Sequence, residues 1–315
     1  MVTGASGFIG RALVKRLLDE GRYEVRIATR RHSDEGDMQR VDVAHIPDVS
    51  ASTHWRSALT GVDVVIHLAA RVHLQRADAE ARSDFRRINV DGACNLARQA
   101  AVAGTRRLIF LSTVKVHGEG GARAYREDDT LQPEDAYAVS KHEAELGLRE
   151  IAAQTGIEIV VIRPPLVYGP GVKANFRTLI RVIEMGIPLP FGAVDNRRSI
   201  VALDNLTDFI ATCITHPNAA GEAFLISDGE DLSTPELIRR LARAMGRPAR
   251  LFSVPPALLA KAATIAGRGA LAQRLLASLQ VDPSKARERL NWAPALTVEE
   301  GLRATVAHYG GEKRA

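Results

Sequence analysis

Apolar residues fall along this chain in two rhythms. Short, largely β-branched runs occur at residues 24–28 (EVRIA), 62–67 (VDVVIH), 107–111 (RLIFL) and 157–162 (IEIVVI). They are apolar nearly throughout, which predicts strands covered on both faces. Between them, residues 8–20, 77–103 and 136–154 carry apolar positions at helical spacing; in the first, Phe8, Ile9, Ala12, Leu13, Leu17 and Leu18 recur with that period. Buried strands alternating with amphipathic helices predict the α/β class and a doubly wound parallel sheet.

The texture changes after Pro164. The stretch RPPLVYGPG (163–171) is rich in turn formers, and the elements beyond it read as mostly helical. Ser233-Thr234-Pro235-Glu236 caps one helix, which stops near Gly246. Asp282-Pro283 starts another, and Thr297 with Glu300 forms a capping box for the last. The pattern predicts one α/β unit at 1–168, to which the chain is expected to return near 197–226, and a smaller, mostly helical unit at 169–315. No internal repeat, low-complexity tract or long linker is evident.

The chain opens MVTGASGFIG, with glycines at 4, 7 and 10 just before the first amphipathic helix. A strand, a glycine-rich turn and a helix together suit a dinucleotide. The turn lets the backbone approach a pyrophosphate, and the helix N-terminus offers N–H groups and the positive end of its dipole. Residues following the second strand meet the adenosine ribose; an acid there suits NAD, an arginine the 2′-phosphate of NADP. Here the order is Thr29-Arg30-Arg31, with no acid until Asp34, so NADP(H) is favoured and NAD(H) is the alternative.

Composition adds limits. Of 315 residues, 46% are hydrophobic and 25% charged, as in ordinary soluble domains. No apolar run is long enough for a membrane helix, and no secretory signal precedes the glycine loop. The net charge is +5, mostly from arginine, but the basic residues are scattered without interleaved aromatics. That argues against a nucleic-acid partner; no membrane partner and a cytoplasmic location are expected. Cys94 and Cys213 show neither metal-site nor disulfide spacing, so they read as buried thiols, and no metal is expected.

The chemistry is carried by AYAVSK, that is Tyr137-x-x-x-Lys141. Four residues apart on a helix, the two side chains share a face. A nearby ammonium stabilises a phenolate and lowers its pKa, making tyrosine a usable acid–base at neutral pH.

The TGxxGxxG loop with YxxxK resembles the short-chain dehydrogenase/reductase superfamily in its extended form. That resemblance implies several further assignments. Gly4, Gly7, Phe8, Ile9 and Gly10 would cradle the cofactor, Asp42 and Val43 would meet the adenine, and Leu68, Ala69 and Ala70 (in HLAA) would flank the cofactor with Asn89, Pro164 and Val167. In LSTVKVHG, counting back from Gly118 places the substrate hydroxyl contact at Thr113, with Ser112 its neighbour. The catalytic set would be Thr113, Tyr137 and Lys141, with Lys141 also binding the nicotinamide ribose. Extended members carry more residues before the Thr-Gly pair than Met1-Val2, so the expected native start lies upstream. They also dimerise through two long helices, here near 84–103 and 137–154, so a homodimer is expected.

RPPLVYGPG resembles the boundary motif of nucleotide-sugar epimerases, reductases and dehydratases. By that likeness Asn175, Arg197 and Arg274 would bind a UDP-sugar diphosphate, and Pro190 and Phe191 would pack on its base; arginine suits a pyrophosphate. A 4,6-dehydratase needs an Asp-Glu pair after the catalytic threonine, where this chain has Val114-Lys115. The segment from Asn196 to Gly246 resembles bacterial O-antigen proteins, among them 4-keto reductases that form UDP-N-acetyl-quinovosamine. The leading reading is NAD(P)-dependent reduction of a 4-keto UDP-sugar. A UDP-sugar 4-epimerase holding NAD is the first alternative, and an inactive nucleotide-binding module the second.

Overall fold

The computed structural model describes residues 1–30, 40–72, 83–121, 123–267 and 269–311. In chain order the elements begin with β1 (Val2–Thr3), α1 (Phe8–Glu20), β2 (Arg26–Thr29), β3 (Asp42–His45), α2 (Arg56–Leu59) and β4 (Val64–His67). A π-helical segment, Arg86–Gly92, leads into α3 (Ala93–Val102); β5 (Arg107–Leu111), α4 (Ala136–Thr155), β6 (Glu158–Arg163) and β7 (Leu166–Tyr168) follow. Then come α5 (Ala174–Glu184), β8 (Arg198–Ala202), α6 (Leu203–Thr215), β9 (Ala223–Leu225), β10 (Asp231–Leu232) and α7 (Thr234–Ala244). The last helices are α8 (Pro256–Ile265), α9 (Gly269–Leu276), α10 (Ser284–Leu290) and α11 (Val298–Gly311).

Seven strands form one parallel sheet in the order β3-β2-β1-β4-β5-β6-β9. The order reverses at β1, the doubly wound arrangement that opens a crevice at the carboxyl ends of the strands. Alternation along each strand feeds two cores. Ile27, Ile66, Ile109 and Ile162 face α1 and α6, while Ala28, Val65, Leu108, Phe110 and Val161 face α3 and α4. Each fully buried Leu, Ile or Phe contributes about 1.5–3 kcal/mol. Cys94 and Cys213 lie free and buried in these layers.

The four strand runs and the helices at 8–20 and 136–154 lie where the apolar pattern put them. Of the run at 77–103, the described part is helical from residue 83, with the π turn inside it. The caps are also as read. Ser233 accepts from the Glu236 N–H at 3.2 Å, Asp282 from the Ser284 N–H at 3.0 Å, and Thr297 and Glu300 bond reciprocally.

The second half differs from expectation in one respect. It is mostly helical but contains a three-stranded sheet, β10-β8-β7, in which β8 runs parallel to β7 and antiparallel to β10. Of the stretch at 197–226, only β9 rejoins the large sheet, beside β6. A third core, with Tyr168, Phe176, Ile180, Leu241 and Leu302, fills the C-terminal half, and Phe8 packs on it from the glycine loop.

Candidate active site

The glycine loop is set by contacts that leave no room for side chains. Gly4 has φ +72°, and a Cβ there would come 2.7 Å from the Ala69 nitrogen. A Cβ on Gly10 would overlap the Gly4 carbonyl oxygen and reach 2.7 Å from Ala5 Cα. The glycines therefore press the loop onto Leu68-Ala69 after β4, while the Leu68 N–H donates to the Thr3 carbonyl at 3.2 Å. Gly7 is the N-cap of α1; no side chain caps this helix and its first turn holds no acid. An uncapped N-terminus at the carboxyl edge of the sheet suits an anionic diphosphate, with Phe8 and Ile9 supplying N–H groups.

Lys141 and Tyr137 project from α4 next to this crevice. Lys141 is 1% exposed, and its Nζ lies 3.9 Å from the centre of the Phe110 ring. Burial pulls its pKa down to about 7, while Glu145 pushes the other way. Tyr137 is half-buried, with its ring 6.2 Å from that of Phe85. Burial, and then the Asp135 carboxylate, hold its hydroxyl well above the ordinary phenol pKa. In the protein alone, then, the low-dielectric site keeps the phenol protonated and the ammonium marginal. Added positive charge in the crevice would favour the phenolate.

Thr113 and Ser112 alternate across the end of β5, and their bonds tell them apart. Ser112 is buried and donates to Glu145 Oε1 at 2.5 Å. Glu145 also takes Arg163 Nη2 at 2.6 Å, and both partners are fully buried. Ser112 is thus committed to a buried ion pair behind the site; removing one partner of such a pair costs about 3–5 kcal/mol. Thr113 is half-buried, and its Oγ1 accepts the Lys115 N–H at 3.3 Å, which leaves its own proton available to a substrate oxygen. Lys115 Nζ binds Glu119 and also Asp135 Oδ2 at 2.7 Å, while Asp135 Oδ1 caps α4 through the Ala138 N–H at 2.7 Å. The threonine turn is thereby tied to the start of the tyrosine helix. The sequence offered no periodicity from which to read these ties.

Asn89 is buried within the π-helical segment. Its side chain bonds both backbone groups of Arg71 and donates to Ser140 Oγ at 2.9 Å; Ser140 donates to the Tyr137 carbonyl at 2.7 Å. It connects the end of the HLAA stretch to the helix that carries Tyr137 and Lys141. His67, the last residue of β4, is buried, meets Thr3 Oγ1 at 2.7 Å through Nδ1, and has no partner at Nε2 among the described residues. Burial, followed by Lys141, drives its pKa down to about 3.

The adenine assignment to Asp42 and Val43 is corrected. Asp42 pairs in register with Arg26 at the start of β2, at the amino end of the sheet, and accepts Arg26 Nε at 2.5 Å. Strand polarity puts it opposite the crevice. The acid beyond the carboxyl end of β3 is Asp48, whose Oδ1 accepts Thr53 Oγ1 at 2.7 Å, with Val49 packed against Gly92. Arg30 is exposed just past β2, whereas Arg31 lies outside the described residues.

Pro164 lies next to Thr113, accepting the Val114 N–H at 3.0 Å, and Val167 packs partly into the core beneath α1. On the other side of the crevice, Pro190-Phe191 sits where Phe191 pairs with Ser253 and packs on the C-terminal core. Arg197 is exposed, and its backbone is fixed by Ser278 Oγ at 3.0 Å and by Leu279. The side chains of Asn175 on α5 and Arg274 on α9 lie outside the described residues.

A family profile described as the NAD dependent epimerase/dehydratase family matches residues 1–227. The chain belongs to that family. It is therefore an enzyme of the extended short-chain dehydrogenase type, as the loop and YxxxK implied. UDP-glucose 4-epimerase from Vibrio cholerae is 42% identical over 309 residues, covering 97% of this chain and 93% of the relative. DesIV, the dTDP-glucose 4,6-dehydratase of Streptomyces venezuelae solved with NAD and TYD, superposes with a TM-score of 0.80 at 25% identity, covering 99% of this chain and 97% of that one. UDP-glucuronic acid 4-epimerase from Bacillus cereus in complex with NAD superposes equally well, TM-score 0.80, at 23% identity with the same coverage; at that identity it speaks to fold alone. The family and these structures are described with NAD, and none of them supports the preference for NADP(H) read from Arg30 and Arg31.

Proposed function

We propose that this family member is a UDP-sugar 4-epimerase that retains NAD. Its hydride chemistry at C4 is supported by one arrangement: the turn of Thr113 at the end of β5 is tied through Lys115 and Asp135 to the start of the helix that carries Tyr137 and Lys141, and Lys141 Nζ lies over Phe110 of β5. The choice of epimerisation is supported by the 42% identity to a UDP-glucose 4-epimerase over nearly the whole chain.

Bound NAD supplies the hydride acceptor. The chain's own groups do the rest. Thr113 holds the C4 oxygen, Tyr137 takes and returns its proton, and Lys141 binds ribose hydroxyls and stabilises the phenolate. Gly4, Gly7 and Gly10, with the Phe8 and Ile9 N–H groups, take the cofactor diphosphate. Arg30, just past β2, faces the adenosine ribose, a role the family resemblance shares with Arg31, and Asp48 and Val49 replace Asp42 and Val43 at the adenine. Leu68, Ala69, Ala70, Pro164 and Val167 line the cofactor, with Asn89 fixing their loop. Arg197, Arg274 and Asn175 take the UDP-sugar diphosphate, and Pro190-Phe191 the base. Dehydration is disfavoured because Val114 is buried and Lys115 ion-paired where that reaction needs two acids. The partition at 1–168 and 169–315 is kept as part of this reading, as is a homodimer through the helices at 86–102 and 136–155, where Val139 and Leu146 are exposed.

The second reading is 4-keto reduction with NADPH, favoured by exposed Arg30 at the ribose end of β2. Analysis of the nucleotide that copurifies separates the two. Tightly held NAD with interconversion of UDP-glucose and UDP-galactose, without added cofactor, supports the epimerase. An enzyme without bound nucleotide that oxidises NADPH only with a 4-keto UDP-sugar overturns it.

A further inference from the structure

Charge along the chain is less even than a count of basic residues suggests. Residues 237–281 contain seven arginines and Lys261 but no Asp or Glu, where the chain's overall 37 acids in 315 residues would give about five. The stretch contributes +8 to a chain of net +5, leaving −3 for the rest. Arg239 and Arg240 are neutralised by Glu230 and Glu236, which precede it. Arg243, Arg247, Arg250 and Lys261 are exposed, and Arg250 Nη1 donates to the Gly186 carbonyl at 3.2 Å.

The same stretch holds a helix with no buried residue. Eight of the ten residues of α8 are Pro, Ala, Leu or Ile, yet none is buried, and the helix packs mainly on α9. Leu258 is 58% and Ile265 80% exposed. Phe252, just before α8, is also exposed; its segment pairs at Leu251 and Ser253 with Leu189 and Phe191, following exposed Met185 and Ile187. Bare aliphatic side chains and exposed cations thus alternate along one stretch of the C-terminal half, with Arg250 and Phe252 set beside the segment of Met185 and Ile187. Apolar surface left uncovered in this way marks an interaction site.

We propose that this end of the molecule docks on an anionic phospholipid bilayer, with α8 lying in the headgroup region. The chemistry favours a membrane over a protein partner. The apolar side chains stand on a helix none of whose residues is buried. A bilayer accepts such side chains without shape matching, and its diffuse negative charge complements a segment free of carboxylates. The docking is peripheral, since no described helix is long and apolar enough to cross a membrane. It revises the expectation of no membrane partner, which rested on the absence of spanning runs and on scattered basic residues. It does not depend on which sugar the enzyme handles.

The test is sedimentation of the full chain with vesicles of equimolar phosphatidylcholine and phosphatidylglycerol, beside vesicles of phosphatidylcholine alone. Binding to the anionic vesicles only, weakened by added salt, is expected. The double variant Leu258→Glu/Ile265→Glu should lose roughly tenfold or more of that binding while keeping turnover and thermal stability. Arg243→Glu/Arg247→Glu should weaken it without touching an apolar residue. Failure to bind anionic vesicles overturns the proposal, as does undiminished binding by both double variants. A change of oligomeric state in Leu258→Glu/Ile265→Glu, with vesicle binding unaltered, would give the surface to a second copy instead.

Discussion

The two halves of this enzyme treat their polar groups differently. In the parallel-sheet half, Lys141, Asn89, Glu145 and Arg163 are buried, and the threonine, tyrosine and lysine elements are cross-tied by Asn89, Ser140, Ser112 and the Lys115–Asp135 pair. In the C-terminal half, the candidate diphosphate arginine, Arg197, stands exposed on a backbone held by Ser278, and α8 buries nothing. Reacting groups need sub-ångström placement, which a packed sheet end provides. Recognition of a flexible, charged substrate tolerates longer, more mobile arms. On the proposed reading, the reacting groups are held by the packed interior and the substrate contacts by exposed segments.

Four experiments break or sharpen that contrast. The largest effect belongs to Tyr137→Phe, which should lower turnover by roughly 10²–10⁴-fold while leaving NAD affinity within about twofold; an active variant would remove Tyr137 from proton transfer. Next, Arg197→Ala should raise KM for the UDP-sugar roughly 10–100-fold with little change in kcat, since it strikes binding alone. Equal losses in both parameters would mean that the exposed half also shapes the transition state.

Third, Lys115→Met removes a cation from the Asp135 carboxylate beside Tyr137. The phenol becomes harder to ionise, so the rise of oxidative rate with pH should move to higher pH and the rate at neutrality fall by roughly threefold to tenfold. Asp135→Asn should move the profile the other way. Profiles that do not shift would reduce the tie to a structural one. The smallest effect concerns cofactor binding itself. Lys141, held near pKa 7 in the protein alone, binds ribose hydroxyls best when protonated. Contact with them raises its pKa, so binding takes up a proton. NAD affinity should be flat below about pH 6 and weaken as pH rises through 7. Calorimetric titration across that range reads it directly, and pH-independent affinity would detach Lys141 from the ribose.

The sequence by itself determined what depends on local order. The apolar runs at 107–111 and 157–162 became β5 and β6 because a strand buried on both faces has nowhere to place polar residues. The glycines at 4, 7 and 10 announced a tight loop, since only a chain without Cβ atoms can press onto Ala69 and Ala5. Tyr137 and Lys141 fell on one helical turn by spacing alone. Tertiary structure decided whatever depends on distant partners. Ser112 and Thr113 are neighbours of similar chemistry, and only Glu145, 33 residues on, commits one of them to the interior. Asp42 and Asp48 are each followed by valine, and only the direction of β3 beside β2 tells which end of the sheet each occupies. Whether the apolar residues of α8 join a core was decided by packing, which buries none of them. Local pattern fixes which face of an element is apolar; what that face meets is set by the rest of the chain.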